Sequence, residues 1–411
     1  MSDYFSGIPT YGELNKVMKG NTFPEFREVN GHIHTPYSFS AFSDMQTVFE
    51  VAKKENISVL GINDFFVADG YESFHNLSLE NKIFPLFNIE FIGLMPDEMK
   101  KGVRINDPNN PGRVYFSGKG LDYPFDTGWI QRQQLKKVKK ESQKQIGKMI
   151  GLLNKLIEIE NPSLKLSYET IKKDYAMNLV RERHIAKALR ILAERKFETA
   201  EQQIGFIEKL YGGRKSVAGI TNPSALENEI RSNLLKSGGA AFVEEDSKSF
   251  LELKKIINII IKSGGIPCYP VLLDDPKGKL TEFEQDPERL YDSLLKLGVE
   301  CIELIPGRND HDILKKFVEF FDSKGFIITF GTEHNTPEMV PLKVSARGNR
   351  ELDVSLKKTS WEGACIIAAH QYLRADGRQG YVLPDGRHSI EQRRELTDLG
   401  QKVIEYFLAS N

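Results

Sequence analysis

The sequence predicts an α/β fold in which parallel strands alternate with helices. Short apolar runs rich in β-branched residues recur along the chain, and amphipathic stretches of helical length separate them. Glycines at Gly264, Gly298 and Gly325 each fall between a predicted helix and the following strand, where a left-handed turn is needed. This pattern is typical of parallel βα units, closed as a barrel or left open.

The elements follow in order along the chain. A helix is predicted over 45–55 with Asp44 as its N-cap, and buried strands are predicted over 59–62 and 83–89. The second half repeats a helix and a strand three times. The helices cover 250–263, 287–297 and 311–324, and the strands cover 265–269, 301–305 and 326–330.

The segment 97–239 interrupts the alternation. Its first part, 102–126, is rich in Gly, Pro, Asn and Asp and is predicted to be a long irregular loop. A long helix follows, whose polar face carries Arg132, Lys136, Lys137, Lys139, Lys140, Lys144 and Lys148. A solvated helix face is the favoured interpretation of these charges, with a phosphate or nucleic-acid patch as the alternative. Shorter helices are expected over 165–211.

We therefore divide the chain into three parts. Residues 22–96 and 240–345 form a discontinuous α/β domain, 97–239 is a loop plus helical insertion, and 346–411 is a C-terminal extension whose end, 389–409, is predicted to be helical. No internal repeat is found.

Composition excludes some classes of protein. The 411 residues include 56 basic and 57 acidic residues, for a net charge of -1, which disfavours a chain-wide nucleic-acid binder but leaves local patches open. The N-terminus lacks the apolar core of a signal peptide, and the longest aliphatic run, 256–261, is too short to span a membrane. The three cysteines are widely spaced in apolar runs and form no disulfide pattern. A cytoplasmic location is expected.

The pair His32 and His34 is the first chemical signal among the eight histidines. Residues two apart in a strand face the same way, so both imidazoles point to one place at a predicted strand end. Two converging imidazoles suit a divalent transition metal. A pair of structural histidines is the competing interpretation.

Further polar residues of ligand type follow the predicted strands. Asp64, Glu90 and Glu333 with His334 each come just after a strand, and His184 opens a helical run. In parallel α/β folds, sites collect at the carboxyl ends of the strands. The sequence therefore predicts a metal site at this edge of the sheet.

These residues carry a resemblance to the PHP (polymerase and histidinol phosphatase) superfamily, particularly its phosphoesterase branch, which includes nucleoside 3',5'-bisphosphate phosphatases. The segments that resemble family motifs are His32-Ile33-His34-Thr35, Ile62-Asn63-Asp64, Asn88-Ile89-Glu90, Arg183-His184-Ile185-Ala186, Gly264-Gly265-Ile266-Pro267, Cys301-Ile302-Glu303 and Gly331-Thr332-Glu333. Their order agrees with the family throughout. The resemblance implies a distorted (β/α)7 barrel with a helical insertion and metals at the carboxyl ends of the strands.

The resemblance also implies a ligand set. A first metal would be held by His32, His34, Glu90 and Glu333, where Glu333 replaces the family's aspartate. A second would share Glu90 and add His184, although Tyr269 occupies the place of the other histidine. The third site is expected to be lost because Phe65 and Asn335 replace its histidines. His334, one residue early, is either a ligand or a hydrogen-bonding residue, and Asp64 is either a ligand or a residue that orients one.

Basic residues near these motifs are candidates for gripping an anion. Arg183 and Arg308 are preferred because they lie beside motif positions, and Arg104, Arg113 and Lys119 are further candidates. His75, His370 and His388 are expected to be structural, and His311 is a weak additional candidate.

The leading hypothesis is a metal-dependent phosphoesterase that uses one or two Mn, Zn or Fe ions on a small phosphorylated metabolite or nucleotide. A hydrolase of the same architecture acting on a non-phosphate bond such as an amide is the second hypothesis. A non-catalytic PHP module that binds a ligand or regulates a partner is the third. The sequence does not determine the substrate or the oligomeric state.

Overall fold

A seven-stranded sheet forms the centre of the molecule in the computed structural model, which describes residues 7–275, 277–383, 386 and 393–410. Its strand order is β1-β2-β3-β4-β6-β7-β8, and the short β5 pairs with the end of β3. The strands are β1 (Val29–Ile33), β2 (Val59–Phe65), β3 (Phe84–Leu94), β4 (Arg113–Lys119), β5 (Leu251–Glu252), β6 (Ile266–Val271), β7 (Cys301–Leu304) and β8 (Ile327–Phe330).

The sheet curves into a barrel that is nearly closed. Ile33 at the end of β1 forms a parallel bridge with Glu333, which lies just beyond β8, and the His34 amide donates to the Glu333 carbonyl at 2.7 Å. All neighbouring strands on this path are parallel except β4, which is antiparallel to both β3 and β6. The expected α/β fold, a distorted (β/α)7 barrel with a helical insertion, is confirmed.

Strand β4 corrects the prediction of an irregular loop over 102–126. Its residues pair with Ile89–Leu94 on one side and with Ile266–Cys268 on the other, so it completes the barrel wall. Only the flanking stretches 102–112 and 120–126 are irregular. A short strand with a polar, glycine-containing sequence is hard to recognise because its partners lie far away in the chain.

Fourteen helices are found in the described ranges. They are α1 (Tyr11–Val17), α2 (Met45–Lys54), α3 (Tyr71–Asn81), α4 (Pro96–Lys100), α5 (Trp129–Glu160), α6 (Tyr168–Tyr175), α7 (Glu182–Lys196), α8 (Ala200–Leu210), α9 (Pro223–Ile230), α10 (Leu253–Lys262), α11 (Pro287–Lys296), α12 (His311–Ser323), α13 (Val354–Ala375) and α14 (Arg393–Ser410). The Asp44 side chain caps α2 by accepting from the Thr47 amide at 2.7 Å, as predicted.

Buried apolar residues form three clusters. Two belong to the barrel and its covering helices, and the third lies within the insertion, between α5, α7, α8 and α9. The extension contributes more than its end helix, because α13 packs on β8 and α14 packs on α13. No helix in the described part of the chain has the length and apolar content needed to cross a membrane.

Candidate metal centre

His32 and His34 converge at the carboxyl end of β1. His32 lies in the strand and His34 directly follows it, so the alternation of the backbone brings both rings to one face. Their Nε2 atoms are 3.2 Å apart, and both side chains are buried. This separation is close to that of two ligand atoms each lying about 2.1 Å from one ion.

Glu90 joins the two histidines from β3. Its Oε2 atom lies 3.2 Å from His34 Nε2, is buried and has no hydrogen-bond partner. Ligand atoms of His32, His34 and Glu90 all lie within 4.8 Å of one another. A buried carboxylate oxygen without a donor, facing two imidazoles, has the chemistry of a divalent-metal site.

Burial determines the protonation of this cluster. It lowers the pKa of His34 to about 4, so the ring is neutral near pH 7 and keeps a lone pair for a metal. Burial also raises the pKa of Glu90 to about 8, because His32 compensates its negative charge only in part while Glu333 and Glu303 add to the shift. A bound cation would supply that compensation.

A buried ion pair fixes the far side of the His32 ring. Glu303 on β7 lies 2.9 Å from His32 Nδ1 and also accepts from the Lys119 ammonium on β4. Burial acts to raise the pKa of Glu303, but His32 and Lys119 prevail and lower it to about 2. The carboxylate therefore orients His32 with Nε2 towards the cluster. Sequence reasoning gave Glu303 no role and placed Lys119 among the anion-gripping residues, which is wrong because Lys119 is fully buried in this pair.

Asp64 orients the surroundings of His34 and lies outside the ligand cluster. It accepts from the Thr35 amide at 2.7 Å and from the Ser38 hydroxyl at 2.6 Å. Ser38 Oγ in turn lies 3.2 Å from His34 Nδ1. Of the two roles left open for Asp64, the contacts match the orienting one.

Glu333 and His334 are placed by a left-handed backbone, with φ values of 63° and 55°. The Glu333 carboxylate pairs with Arg308 and accepts from Asn335 at 2.8 Å, so it lies near the three-residue cluster without joining it. Both ring nitrogens of His334 have hydrogen-bond partners. Nδ1 lies 2.8 Å from the Thr332 hydroxyl, and Nε2 lies 2.8 Å from the Val340 carbonyl. His334 therefore points away from the cluster.

His184 also lies apart from the cluster. Its Nδ1 accepts from the Arg181 amide at 2.9 Å, which caps the start of α7, and its ring packs edge-on against Phe39. Two positions where the family resemblance calls for histidine have other roles. The Tyr269 hydroxyl donates to Glu284, and Phe65 stacks on His34 with ring centroids 4.7 Å apart.

A cavity of about 380 Å³ opens beside the cluster and extends to the insertion. Phe65, Glu90 and Tyr115 line its barrel end. Six basic residues line it, namely Arg113, Arg181, Arg183, Arg231, Lys236 and Arg308.

The cations at the insertion end of this cavity are only partly compensated. Glu182 is the acidic residue among them, and it lies 3.1 Å from Arg231 and 3.6 Å from Lys236. Burial lowers the pKa of Arg183 to about 10, and repulsion by the nearby positive charge of Arg231 adds to the shift. An anion would relieve it.

The remaining candidates have structural partners. Arg104 pairs with Glu282, and Arg113 pairs with Glu245 at 2.7 Å. His370 Nε2 binds the Gly264 carbonyl at 2.6 Å, and His311 Nδ1 lies 3.1 Å from Asp312.

His75 is buried, with its ring 5.4 Å from that of Tyr123. His388 lies outside the described residues. Cys268, Cys301 and Cys365 are all buried and unbridged.

Comparison with known proteins finds solved structures with a similar fold but does not assign the chain to a family. No protein-family model and no curated protein matches the chain. Among solved structures, the chain is similar to a protein from Bifidobacterium adolescentis provisionally assigned as a metal-dependent phosphoesterase, with a TM-score of 0.52, 13% identity and coverage of 81% of this chain and 95% of that one. An amidohydrolase from Chromobacterium violaceum, solved with sulfate and without metal, gives a TM-score of 0.48 at 14% identity over 81% and 96% of the two chains.

Proposed function

We propose that the protein is a metal-dependent phosphoesterase acting on a small phosphorylated metabolite or nucleotide. The observation that carries the proposal is the meeting of two features in one cavity. The His32–His34–Glu90 cluster, which is suited to a divalent ion, borders one end through Glu90, and a cluster of cations lies at the other. The assignment of the Bifidobacterium neighbour is in keeping with this reaction.

The proposed role of each residue follows from where it lies in the cavity. A divalent ion held by His32, His34 and Glu90 would lower the pKa of a bound water and polarise the phosphoryl group. Arg308 and Arg183 face the same cavity and would bind phosphate oxygens, where charge accumulates during transfer. The aromatic rings of Phe65 and Tyr115 line the barrel end of the cavity.

The proposal is tested by replacing His32 and His34 singly with alanine. Each variant should lose the bound metal and at least about a hundredfold in kcat/KM on phosphomonoesters, because one ligand of three is missing. His334→Gln is the matched control, since His334 lies close in sequence but outside the cluster. Metal content is read by elemental analysis, and full turnover by metal-free His32→Ala protein would disprove the proposal.

Substrate screening separates the alternatives. Metal-loaded protein that cleaves amides and no phosphoester would be a hydrolase of another bond type. Metal binding without any hydrolysis would indicate a non-catalytic module. Phosphate esters are favoured because the cavity carries six basic residues against four acidic ones, Glu90, Glu182, Glu245 and Glu333.

A further inference from the structure

The exposed face of α5 carries a regular row of cations. Its five members recur every four residues and are all exposed: Arg132, Lys136, Lys140, Lys144 and Lys148. Residues four apart are neighbours on a helix but are rotated by about 40° at each step, so the row forms a ridge with an axial repeat of about 6 Å that winds around α5 by about 160° over its length. We call it the α5 ridge.

The charge of the ridge is concentrated and largely uncompensated. Residues 132–148 include seven basic residues and one acidic residue, Glu141, although the whole chain has a net charge of -1. Arg132 pairs with Asp126, and Lys144 pairs with Glu141, but both pairs are exposed and weak. Lys136, Lys140 and Lys148 form no ion pair within 4 Å in the described ranges. The ridge therefore complements an extended polyanion.

Two large apolar side chains lie at the start of the ridge. Trp129 is 73% exposed and Ile130 is 61% exposed, which is unusual for side chains of this size. Trp129 precedes Lys136 by seven residues and so lies on the same face, two turns away. An exposed indole beside regularly spaced cations has the composition of a platform for stacking bases along a phosphate backbone.

The face of α5 opposite the ridge contributes to the wall of the cavity. Gln145, Ile146 and Met149 line the cavity beside the metal cluster, and Lys144 and Lys148 flank them in sequence on the exposed side. A flexible strand held along the ridge would therefore lie on the opposite side of α5 from this cavity. A flat membrane surface, which also attracts lysines and tryptophan, could not contact both ends of a row that winds around the helix by about 160°.

We propose that the α5 ridge binds single-stranded nucleic acid, with phosphates along the cations and a base stacked on Trp129. From Arg132 to Lys148 the ridge rises by about 24 Å, which matches four or five nucleotides at the 6 Å repeat. The proposal concerns binding, does not rest on the proposed hydrolysis, and is tested in chelator so that its failure and that of the phosphoesterase are distinguishable.

The chain provides its own optical probe. It has two tryptophans, and Trp361 is only 2% exposed, so a fluorescence change on binding reports Trp129. Full-length protein with chelator is titrated with oligothymidylate of about 12 nucleotides, which exceeds the expected site. We expect quenching whose affinity falls steeply with salt, by about 0.7 in the log–log slope for each phosphate neutralised.

Two triple variants test whether the oligonucleotide binds on the α5 ridge. Lys136→Gln with Lys140→Gln and Lys148→Gln should weaken binding at least about tenfold and reduce the salt slope by about 2. Lys165→Gln with Lys172→Gln and Lys173→Gln removes the same charge from exposed positions on and beside α6 and should change binding less than about twofold. Circular dichroism checks that both fold.

Three outcomes would overturn the proposal. One is the absence of quenching at low salt. A second is equal weakening by the two triple variants, which would make binding non-local. The third is binding to phosphatidylserine vesicles without binding to the oligonucleotide, which would assign the ridge to a membrane surface.

Discussion

His32 is held between the candidate ion and a buried ion pair, so its role depends on residues that never face the cavity. Glu303 and Lys119 neutralise each other at 0% exposure beneath it. Removal of either partner leaves a buried charge without compensation, which costs more than the pair itself contributes. The metal centre and the barrel core are therefore coupled through one salt bridge.

Lys119→Met tests this coupling. The variant removes the ammonium that neutralises the buried Glu303 and leaves His32 as its partner, so we expect a loss of about 3 kcal/mol in unfolding free energy and a tenfold to hundredfold loss of metal affinity (about 1.4 to 2.7 kcal/mol). Urea denaturation and metal titration measure the two effects. Adding Glu303→Gln should restore much of the stability but not the affinity. Unchanged stability in Lys119→Met would contradict the coupling.

Glu284 gives a separate prediction about pH. Burial raises its pKa from 4.5 to about 7, although Tyr269 and the Leu272 and Leu273 amides favour its charged form. The folded state therefore holds a proton that the unfolded state releases between pH 4.5 and 7, and stability falls through this window as the pH rises.

Glu284→Gln should remove this part of the pH dependence. From pH 4.5 to 7, the unfolding free energy of the wild type should fall by about 3 kcal/mol relative to that of the variant. Above pH 7, the difference between the two proteins should stay constant. Other titrating groups are common to both proteins and cancel. A difference in unfolding free energy between wild type and variant that is the same at all pH values would refute the assignment of this pH dependence to Glu284.

The candidate site shows which residues a sequence can predict. His32, His34 and Glu90 were predictable because strand alternation and the shared carboxyl edge of parallel strands bring them together. Glu333 and His334 were not, since their left-handed φ values turn the backbone after β8 in a way that no local pattern indicates. The same holds for Lys119, which enters the core only because β4 is in the barrel.

At the scale of elements, α13 and α14 are in close contact, and the sequence did not indicate that α13 is a core helix. A Cβ on Gly400 of α14 would lie 1.8 Å from the Cys365 carbonyl oxygen of α13. The two helices thus approach backbone to backbone, and α13 is buried along most of its length. Periodicity failed to reveal α13 as a core helix because its buried residues, which include 360–361 and 363–373, lie on every side of the helix and leave no polar stripe there.

Gly400→Ala should destabilise the protein even though alanine favours helix. The clash forces α14 away from α13 at a cost of about 1–3 kcal/mol, which exceeds the propensity gain of about 1 kcal/mol. Gly151→Ala in α5 is the matched control, because its Cβ would meet nothing within 4 Å and should stabilise by up to about 1 kcal/mol. Thermal unfolding compares them, and equal effects of the two changes would argue against the close packing.

At the scale of the whole molecule, the barrel closes through few contacts between its first and last strands. One isolated bridge, Ile33 to Glu333, joins them, together with backbone hydrogen bonds from the His34 amide to the Glu333 carbonyl and from the Thr332 and Glu333 amides to the His32 carbonyl. His32 and His34 on the β1 side, Glu90 on β3 and Glu303 on β7 meet over this seam. A metal bound there connects β1 to β3 directly and to β7 through the His32 contact.

Metal removal should therefore loosen the whole barrel. A ligand that binds only the folded state stabilises it by about 4 kcal/mol at a thousandfold excess over its Kd. For a protein of this size we expect chelation to lower Tm by several degrees and Mn²⁺ or Zn²⁺ to restore it. His34→Ala should show no metal-dependent shift, whereas His334→Gln, which leaves the cluster intact, should keep it. A Tm independent of metal in the wild type, or an equal shift in His34→Ala, would mean that the ion does not bind at this seam.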